Sequence, residues 1–85
     1  MIHGLKTWKE YFIEVAKGNK TFEVRKNDRK FKVGDILILK EYDNELNELT
    51  GREIMKKISY ILPGGSFGIE RGYVVLGLIS MAEFK

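Results

Sequence analysis

The sequence predicts an α+β domain, mostly β, in which about five or six short strands form a small mixed or antiparallel barrel beside one clear helix. Two patterns and the length support this prediction. One stretch repeats its apolar residues at a helical period, whereas most of the remainder alternates apolar with polar residues or contains short apolar runs bounded by turn-forming residues. Because 85 residues leave room for one core only, we expect residues 1–85 to be a single domain.

The helix is predicted over residues 7–17. Thr7 and Glu10 have the spacing of a capping box, in which a hydroxyl and a carboxylate satisfy free amides at the helix start. Gly18 supplies the left-handed residue that ends the helix. An apolar stripe at positions i, i+3, i+4 and i+7 is formed by Trp8, Tyr11, Phe12 and Val15. We interpret this stripe as core packing rather than as a platform on which bases stack.

The segment after the helix alternates with a period of two, which is typical of a strand. Phe22 and Val24 form an apolar face that we assign to the core. The opposite, polar face is formed by Thr21, Glu23 and Arg25. Residues 36–39 are a continuous apolar run that predicts a strand covered on both faces. Further strands are predicted over residues 2–6, 52–62 and 72–80, and the polar segment 43–50 is predicted to be a loop or a helical turn, which allows a second short helix.

Composition excludes several classes of function. The chain has no cysteine and one histidine, so neither a disulfide nor a thiolate metal site is possible, and a zinc site is not expected. It contains neither the apolar segment of a signal peptide nor a run long enough to span a bilayer. These features indicate a small soluble cytoplasmic protein that needs no cofactor and contacts no membrane.

Positive charge is concentrated in one region. Residues 17–32 hold seven Lys or Arg residues against two acids, although the whole chain has a net charge of only +3. Four of these cations flank a turn predicted at Asn27 and Asp28, namely Lys26, Arg29, Lys30 and Lys32. In a predicted 26–32 hairpin they would contact the phosphates of a nucleic acid, or they would simply protect an edge strand with solvated charge. The composition leaves both interpretations open.

Lys20, Glu23 and Arg25 form the central group of candidate functional residues. Glu23 and Arg25 are two residues apart, so on a strand their side chains lie on one face within reach of each other. Arg25 could bind a phosphate or a carbonyl edge, and Glu23 could accept from an amino group of a base. Alternatively, the two residues form an ion pair with a structural role only.

Four motifs resemble those of the ASCH-related proteins of the PUA-like superfamily, a group that includes small phage and bacterial proteins. They are His3-Gly-Leu-Lys6, the long run from Gly18 to Asp35, Thr50-Gly-Arg-Glu53 and Gly72-Tyr-Val-Val-Leu76. The resemblance implies a PUA-like β-barrel that binds RNA or a modified nucleotide in a cleft beside Lys20. The ligand-binding residues that it implies are Lys20, Thr21, Glu23 and Arg25, with His3 and Lys6 at the border of the cleft.

One branch of the ASCH proteins removes the acetyl group from N4-acetylcytidine with a lysine, a threonine three residues later and a distant glutamate. Lys20 matches the lysine, but the threonine position is Glu23, and Thr21 lies two residues away from it. We therefore expect a binding module without catalysis. The alternative is a small amidohydrolase that uses Lys20 with Thr21, Glu23 or Glu53. A third possibility is a protein-interaction module whose basic hairpin contacts an acidic protein. The acidic segment 41–48 could equally pair with the basic hairpin of another copy, so we expect a monomer or a weak homo-oligomer.

Overall fold

The alternating and apolar segments form five strands of one mixed sheet. The computed structural model describes residues 1–81. In chain order the elements are β1 (Ile2–Trp8), α1 (Lys9–Ala16), β2 (Phe22–Lys26), β3 (Ile36–Asp43), β4 (Glu48–Pro63) and β5 (Tyr73–Ser80). The strand order is β1-β3-β4-β5-β2, with β1 and β3 parallel and the other three pairings antiparallel. The sheet curls into a half-barrel, so the prediction of a small, barrel-like α+β fold is confirmed at this level.

The core lies on the inner face of the curled sheet. It is built from alternate residues of the strands, from two helix residues about one turn apart, and from one loop residue. These residues are Leu5, Leu37, Leu39, Ile58, Val74, Leu76, Leu78, Phe12, Val15 and Phe31. Within the run 36–39 of β3, Leu37 and Leu39 are fully buried, whereas Ile36 and Ile38 on the other face are partly buried. The apolar run 36–39 is therefore a central strand, but it is completely covered on one face only.

β1 and β2 are the two edges of the sheet, and side chains connect them across a gap that we call the seam. The described residues form no backbone ladder between these two strands. Instead, Arg25 Nη2 donates to the Lys6 carbonyl oxygen at 2.8 Å, and Arg29 Nη1 donates to the Gly4 carbonyl oxygen at 2.8 Å. Two arginines thus supply the β1 edge with hydrogen-bond donors that a neighbouring strand would otherwise provide.

α1 confirms the predicted helix, but the predicted helix start is wrong. Thr7 is a buried residue of β1 whose hydroxyl accepts from Arg25 at 3.2 Å, so the capping box with Glu10 does not form. Trp8 occupies the N-cap position without a side-chain cap. The predicted stop is confirmed, because Gly18 has a φ of +80° in the left-handed region. In the described part of the chain α1 is the one α-helix, and no helix is long and apolar enough to cross a membrane.

β2 is confirmed as a strand, but the assignment of its two faces is wrong. Glu23 is only 4% exposed and lies on the inner side together with the partly buried Arg25. Phe22 and Val24, which the alternation assigned to the core, are 45% and 50% exposed on the other side. The reversal is possible because the inner side provides cations for the Glu23 carboxylate, while β2 lies at the edge of the sheet.

The basic segment does not form the predicted 26–32 hairpin. β2 pairs with β5, so that Phe22 lies opposite Gly77 and Lys26 lies opposite Tyr73. Residues 27–35 are an irregular connection to β3 that contains a turn at 33–34. The prediction of a local turn at Asn27 is nevertheless supported, because its Oδ1 accepts from the Phe31 amide at 3.3 Å. The hairpin was predicted from local pattern alone, whereas the actual partner strand lies almost fifty residues further along the chain.

The acidic segment forms the turn of a long hairpin. Residues 44–47 connect β3 to β4, and β4 begins at Glu48, so the predicted loop over 43–50 is too long. Asp43 Oδ1 fixes the turn by accepting from the amides of Glu45 and Leu46. Further along β4, the pairing with β5 shifts its register between Ile58 and Tyr60, which marks a bulge at this point.

Leu39 and Leu46 offer a matched test of this core. Leu39→Ala should lower the free energy of unfolding by about 2–5 kcal/mol, because it removes a fully buried side chain and leaves a cavity. Leu46→Ala, at a 67% exposed position in the β3–β4 turn, should change it by less than about 0.5 kcal/mol. Urea unfolding of both variants measures the difference. Equal losses of stability would contradict the described core.

Candidate functional site

A cavity of about 430 Å³ opens at the seam, and we call it the seam pocket. Its walls come from the end of β1, from the first turns of α1, from the connection after the helix and from β2. The lining residues are Lys6, Thr7, Trp8, Tyr11, Lys20, Phe22, Glu23, Val24 and Arg25. The structure therefore gathers here four of the six residues that the sequence predicted to bind a ligand.

Glu23 is the buried centre of the charged side of the pocket. Its Oε1 accepts from Lys20 Nζ at 2.7 Å, and its Oε2 accepts from Arg25 Nε at 3.0 Å. The carboxylate would be costly to bury alone, but two cations neutralise it and hold it in place. The structural ion pair that the sequence suggested is thus present, and it lies inside the pocket.

The end of the helix positions Lys20. The amides of Asn19 and Lys20 both donate to the Glu14 carbonyl oxygen, at 3.0 and 3.1 Å, so the chain turns sharply out of α1. Lys20 Nζ then donates to Glu23 and to the Phe22 carbonyl oxygen at 2.6 Å. These contacts use two of its three N–H groups, so the third can still donate to a ligand.

Arg25 connects the pocket to the seam. Its Nη2 donates to the Lys6 carbonyl oxygen and to Thr7 Oγ1, while its Nε donates to Glu23. Within the described residues Nη1 has no hydrogen-bond partner. The guanidinium is therefore fixed in orientation and still has donors available for an acceptor in the pocket.

The opposite wall of the pocket is aromatic, which was not predicted from the sequence. Trp8 and Tyr11 are stacked with ring centroids 6.4 Å apart and an angle of 15° between the rings. They are 50% and 47% exposed, so their assignment to the core is wrong, although Phe12 and Val15 of the same stripe are buried. Trp8 and Tyr11 form the N-terminal end of the stripe, and this end lies beyond the surface that the sheet covers.

Phe22 extends the aromatic wall along β2. Lys20 Nζ lies 4.9 Å from the centroid of Phe22 and 5.9 Å from that of Tyr11. A cation at these distances is attracted by the ring faces. The period-two alternation identified Phe22 as one of an apolar pair, but it could not show that this face lines a pocket.

His3 and Thr21 do not line the seam pocket, contrary to the sequence-based expectation. His3 is buried, its Nε2 lies 2.8 Å from Asp35 Oδ2, and its ring meets the edge of Phe31 at a centroid distance of 4.8 Å. Thr21 is exposed, and its carbonyl oxygen accepts from the Leu78 amide at 2.9 Å. Glu53, proposed for the amidohydrolase alternative, is an exposed residue of β4 that also lies outside the pocket lining.

The hydrogen bond with His3 is the main cause of a lowered pKa at Asp35. The pKa of this carboxyl falls to about 2, since His3, the Lys32 amide and the N-terminal amine outweigh the effect of burial. Asp35 thus anchors the start of β1 to the start of β3. This contact explains the buried histidine as a packing residue of the core.

The four predicted phosphate contacts are all exposed, but they are not equivalent. Arg29 Nη1 donates to the Gly4 carbonyl oxygen across the seam, and Arg29 Nε lies 4.0 Å from Asp28 Oδ1. The side chains of Lys26, Lys30 and Lys32 have no ion-pair partner among residues 1–81. These three lysines therefore form a free basic rim beside β2, although no hairpin presents them.

A third buried carboxylate, Glu41, was not predicted from the sequence. Arg52 donates to it through Nε at 2.9 Å and through Nη2 at 2.7 Å, and the Thr50 hydroxyl donates to the same carboxylate. These hydrogen bonds lower the pKa of Glu41 to about 2 and raise the pKa of Arg52. Because Arg52 and Thr50 already bind the Glu41 carboxylate within the β3–β4 hairpin, Glu41 is not available to pair with a second copy.

The pocket combines cations that can bind an anion with aromatic side chains that can stack on a flat ligand. In the described part of the chain no group of three or more His, Cys, Asp or Glu side chains is arranged to hold a metal ion. The pocket instead brings an aromatic wall together with Lys6, Lys20, Arg25 and one neutralised carboxylate. A buried hydroxyl, that of Thr7, also reaches it.

Comparison with known proteins places this pocket within a family. Residues 2–78 match the family model described as "Domain of unknown function (DUF3850)". A phage relative, the "Uncharacterized 12.9 kDa protein in GpA 3'region" of Escherichia phage P2, is 40% identical over 58 residues. That alignment covers 68% of this chain and 51% of the phage protein, so the chain spans about half the length of this relative. The matched family region contains every residue of the seam pocket.

The lowered pKa of Glu41 predicts a specific acid sensitivity. Its charged form is favoured by folding, so its contribution to stability is complete above about pH 4.5 and is lost as the pH falls towards about 2. Glu41→Gln should therefore make the free energy of unfolding less dependent on pH over this interval. Asp28→Asn, at an exposed carboxylate, serves as the control and should retain the wild-type slope. Urea unfolding across the interval measures both slopes, and identical slopes for Glu41→Gln and wild type would refute the assignment.

Proposed function

The chain belongs to the DUF3850 family, and we propose that it binds RNA or a modified nucleotide in the seam pocket without catalysing a reaction. The observation that carries the proposal is the combination in one cavity of stacked aromatic rings with three cations. We also propose, on the motifs from His3 to Leu76 and on the half-barrel with its single helix, that the chain is an ASCH-related member of the PUA-like superfamily.

The aromatic wall supports recognition of a flat base. Proteins that bind single-stranded nucleic acids stack bases on exposed aromatic side chains, and such contacts tolerate many sequences. Trp8, Tyr11 and Phe22 are each about half exposed around a cavity of about 430 Å³. Half-exposed aromatic side chains that surround a cavity gain stability if a planar ligand covers them.

The charged wall supports recognition of a phosphate and of a base edge. Lys6, Lys20 and Arg25 outnumber Glu23, which gives the pocket an excess of two positive charges. Lys20 and Arg25 retain free N–H donors for a phosphate or a carbonyl oxygen. A carboxylate has about four lone-pair positions, so Glu23 can accept from the amino group of a base while it remains bound to both cations.

The single tryptophan of the chain makes this proposal directly measurable, since Trp8 lies in the pocket wall. Short single-stranded RNAs should change Trp8 fluorescence, with an affinity that falls as salt rises. Lys20→Ala combined with Arg25→Ala should weaken binding about tenfold or more and should lower the salt slope by about two, because two charged contacts are lost.

The control for that experiment is Lys9→Ala combined with Lys17→Ala, which removes the same charge from exposed positions at the start of α1 and directly after its end. Lys20→Ala alone leaves the Arg25 bridge across the seam intact and should still weaken binding, so a folding defect is separable from a binding defect. No RNA binding at low salt, or binding that the double pocket variant leaves unchanged, would refute the proposal.

One observation favours a second candidate, a small amidohydrolase acting on N4-acylated cytidine-like nucleosides. The strand position that would carry the threonine is occupied by Glu23, but β1 supplies a buried hydroxyl, Thr7, to the same pocket as Lys20 and Glu23. Hydrolysis would add water across the amide bond to give a carboxylate and a free amine. Lys20 opposes this candidate, because its amine already donates to Glu23 and to the Phe22 carbonyl oxygen and is held away from a reacting amide.

Release of acetate from N4-acetylcytidine tests the second candidate. An active wild-type protein that loses activity in both Thr7→Val and Lys20→Ala would assign catalysis to the seam pocket. No acetate at high protein concentration would exclude this reaction and would leave the binding proposal standing. Activity that survives Thr7→Val would show that this hydroxyl is not the nucleophile.

A further inference from the structure

A second, shallower cavity adjoins the seam pocket along β2. It has a volume of about 300 Å³ and lies between β2, the start of β5 and the loop that connects β4 to β5. We call it the loop cavity, and its lining residues are Val24, Gly68, Ile69, Glu70 and Tyr73. Val24 lines both cavities, so the two form one continuous surface across the half-exposed face of β2.

The loop beside this cavity is tightly folded. A side chain at Gly64 would collide with the carbonyl oxygens of Glu70 and Tyr73, so only glycine fits there. The Gly65 amide donates to the Ile69 carbonyl oxygen at 2.8 Å, and the Ile69 amide donates to the Ser66 carbonyl oxygen at 3.0 Å. These contacts close the loop on itself and fix the direction of its tip.

Phe67 occupies that tip in an unusual state. It is 85% exposed, and its φ of +55° lies in the left-handed region, which is strained for a residue other than glycine. A large apolar side chain gains nothing for stability from such exposure. The loop thus holds an aromatic ring in solvent at some cost, which is the arrangement expected of an aromatic side chain that meets a ligand.

Free positive charge flanks the loop cavity. Lys26 pairs with Tyr73 in the β2–β5 ladder, and Arg71 lies in the loop itself. Neither side chain has an ion-pair partner among residues 1–81. Together they outweigh Glu70, so the charge along the surface stays positive beyond the seam pocket.

We propose that the two cavities bind consecutive nucleotides of one single-stranded RNA, with a second base stacked on Phe67. This inference rests on the proposed function and makes it more specific, because it assigns an oligonucleotide rather than a free nucleotide as the ligand. The strand crosses the exposed face of β2 at Val24. Lys26 and Arg71 contact the phosphates that follow the first base.

The experiment compares the four ribonucleoside 5′-monophosphates with the four homotrimers of RNA, with Trp8 fluorescence as the measurement. At least one trimer should bind about tenfold or more tightly than its monophosphate. Phe67→Ala should remove most of this gain while the affinity for the monophosphate stays unchanged. Leu46→Ala, at a 67% exposed apolar residue in the β3–β4 turn, is the control and should retain the gain, because Leu46 belongs neither to the 64–72 loop nor to the lining of either cavity.

The outcomes separate this inference from the function on which it rests. Monophosphate binding that depends on Lys20, combined with no gain for any trimer or with a gain that survives Phe67→Ala, would overturn the inference alone. Absence of binding for every probe would overturn both. Displacement of bound trimer by a hexaglutamate peptide at lower concentrations than unlabelled trimer would assign the surface to an acidic protein and would also overturn the inference.

Discussion

The two edge strands of the sheet, β1 and β2, face each other across the open seam, and both the pocket and its exposed aromatic side chains lie along this gap. The sheet curls far enough to bring its two edges together but does not join them through the backbone, and Arg25 and Arg29 bridge them instead. Arg25 can do so because the buried Glu23 holds its guanidinium, and Lys20 completes the neutralisation of that carboxylate. A fully paired barrel would have no cavity at this position. The seam pocket is therefore a consequence of how the sheet fails to close.

The seam also explains why apolar side chains remain exposed. Phe22 and Val24 lie on a strand at the sheet edge, and Trp8 and Tyr11 lie where β1 passes directly into α1. These side chains surround a charged centre in which Lys20 and Arg25 neutralise the Glu23 carboxylate and positive charge remains in excess. A ligand that is both flat and anionic complements the two halves of this surface, and a nucleotide has both properties. The proposed function follows from this combination rather than from either half alone.

The sequence could predict the elements but not which side of each element faces the interior. Strong periodicity located α1 and β2, and the apolar run at 36–39 located β3, because these signals depend only on neighbouring residues. The rule that apolar residues face inward failed at β2, since the Glu23 side chain found two cations inside, and one of them, Lys20, is contributed by the turn after α1. Pairing of β2 with β5 and the use of Thr7 as a strand residue are long-range outcomes that local pattern cannot show. The charged half of the pocket was therefore predicted, whereas its aromatic half was not.

The most direct test of binding in the seam pocket is a titration of the ¹⁵N-labelled protein with short single-stranded RNAs. The titration is monitored by NMR through the chemical shifts of the backbone amides, the indole group and the guanidinium groups. If the seam pocket binds the RNA, the Trp8 indole N–H, the Arg25 Nε–H and the amides of residues 20–25 should show saturable shifts. The exposed turn at residues 44–47, which lies outside the pocket lining, should remain unchanged. Shifts that spread over the surface without saturation, or a saturable set centred away from the seam, would contradict the claim that the seam pocket is the binding site.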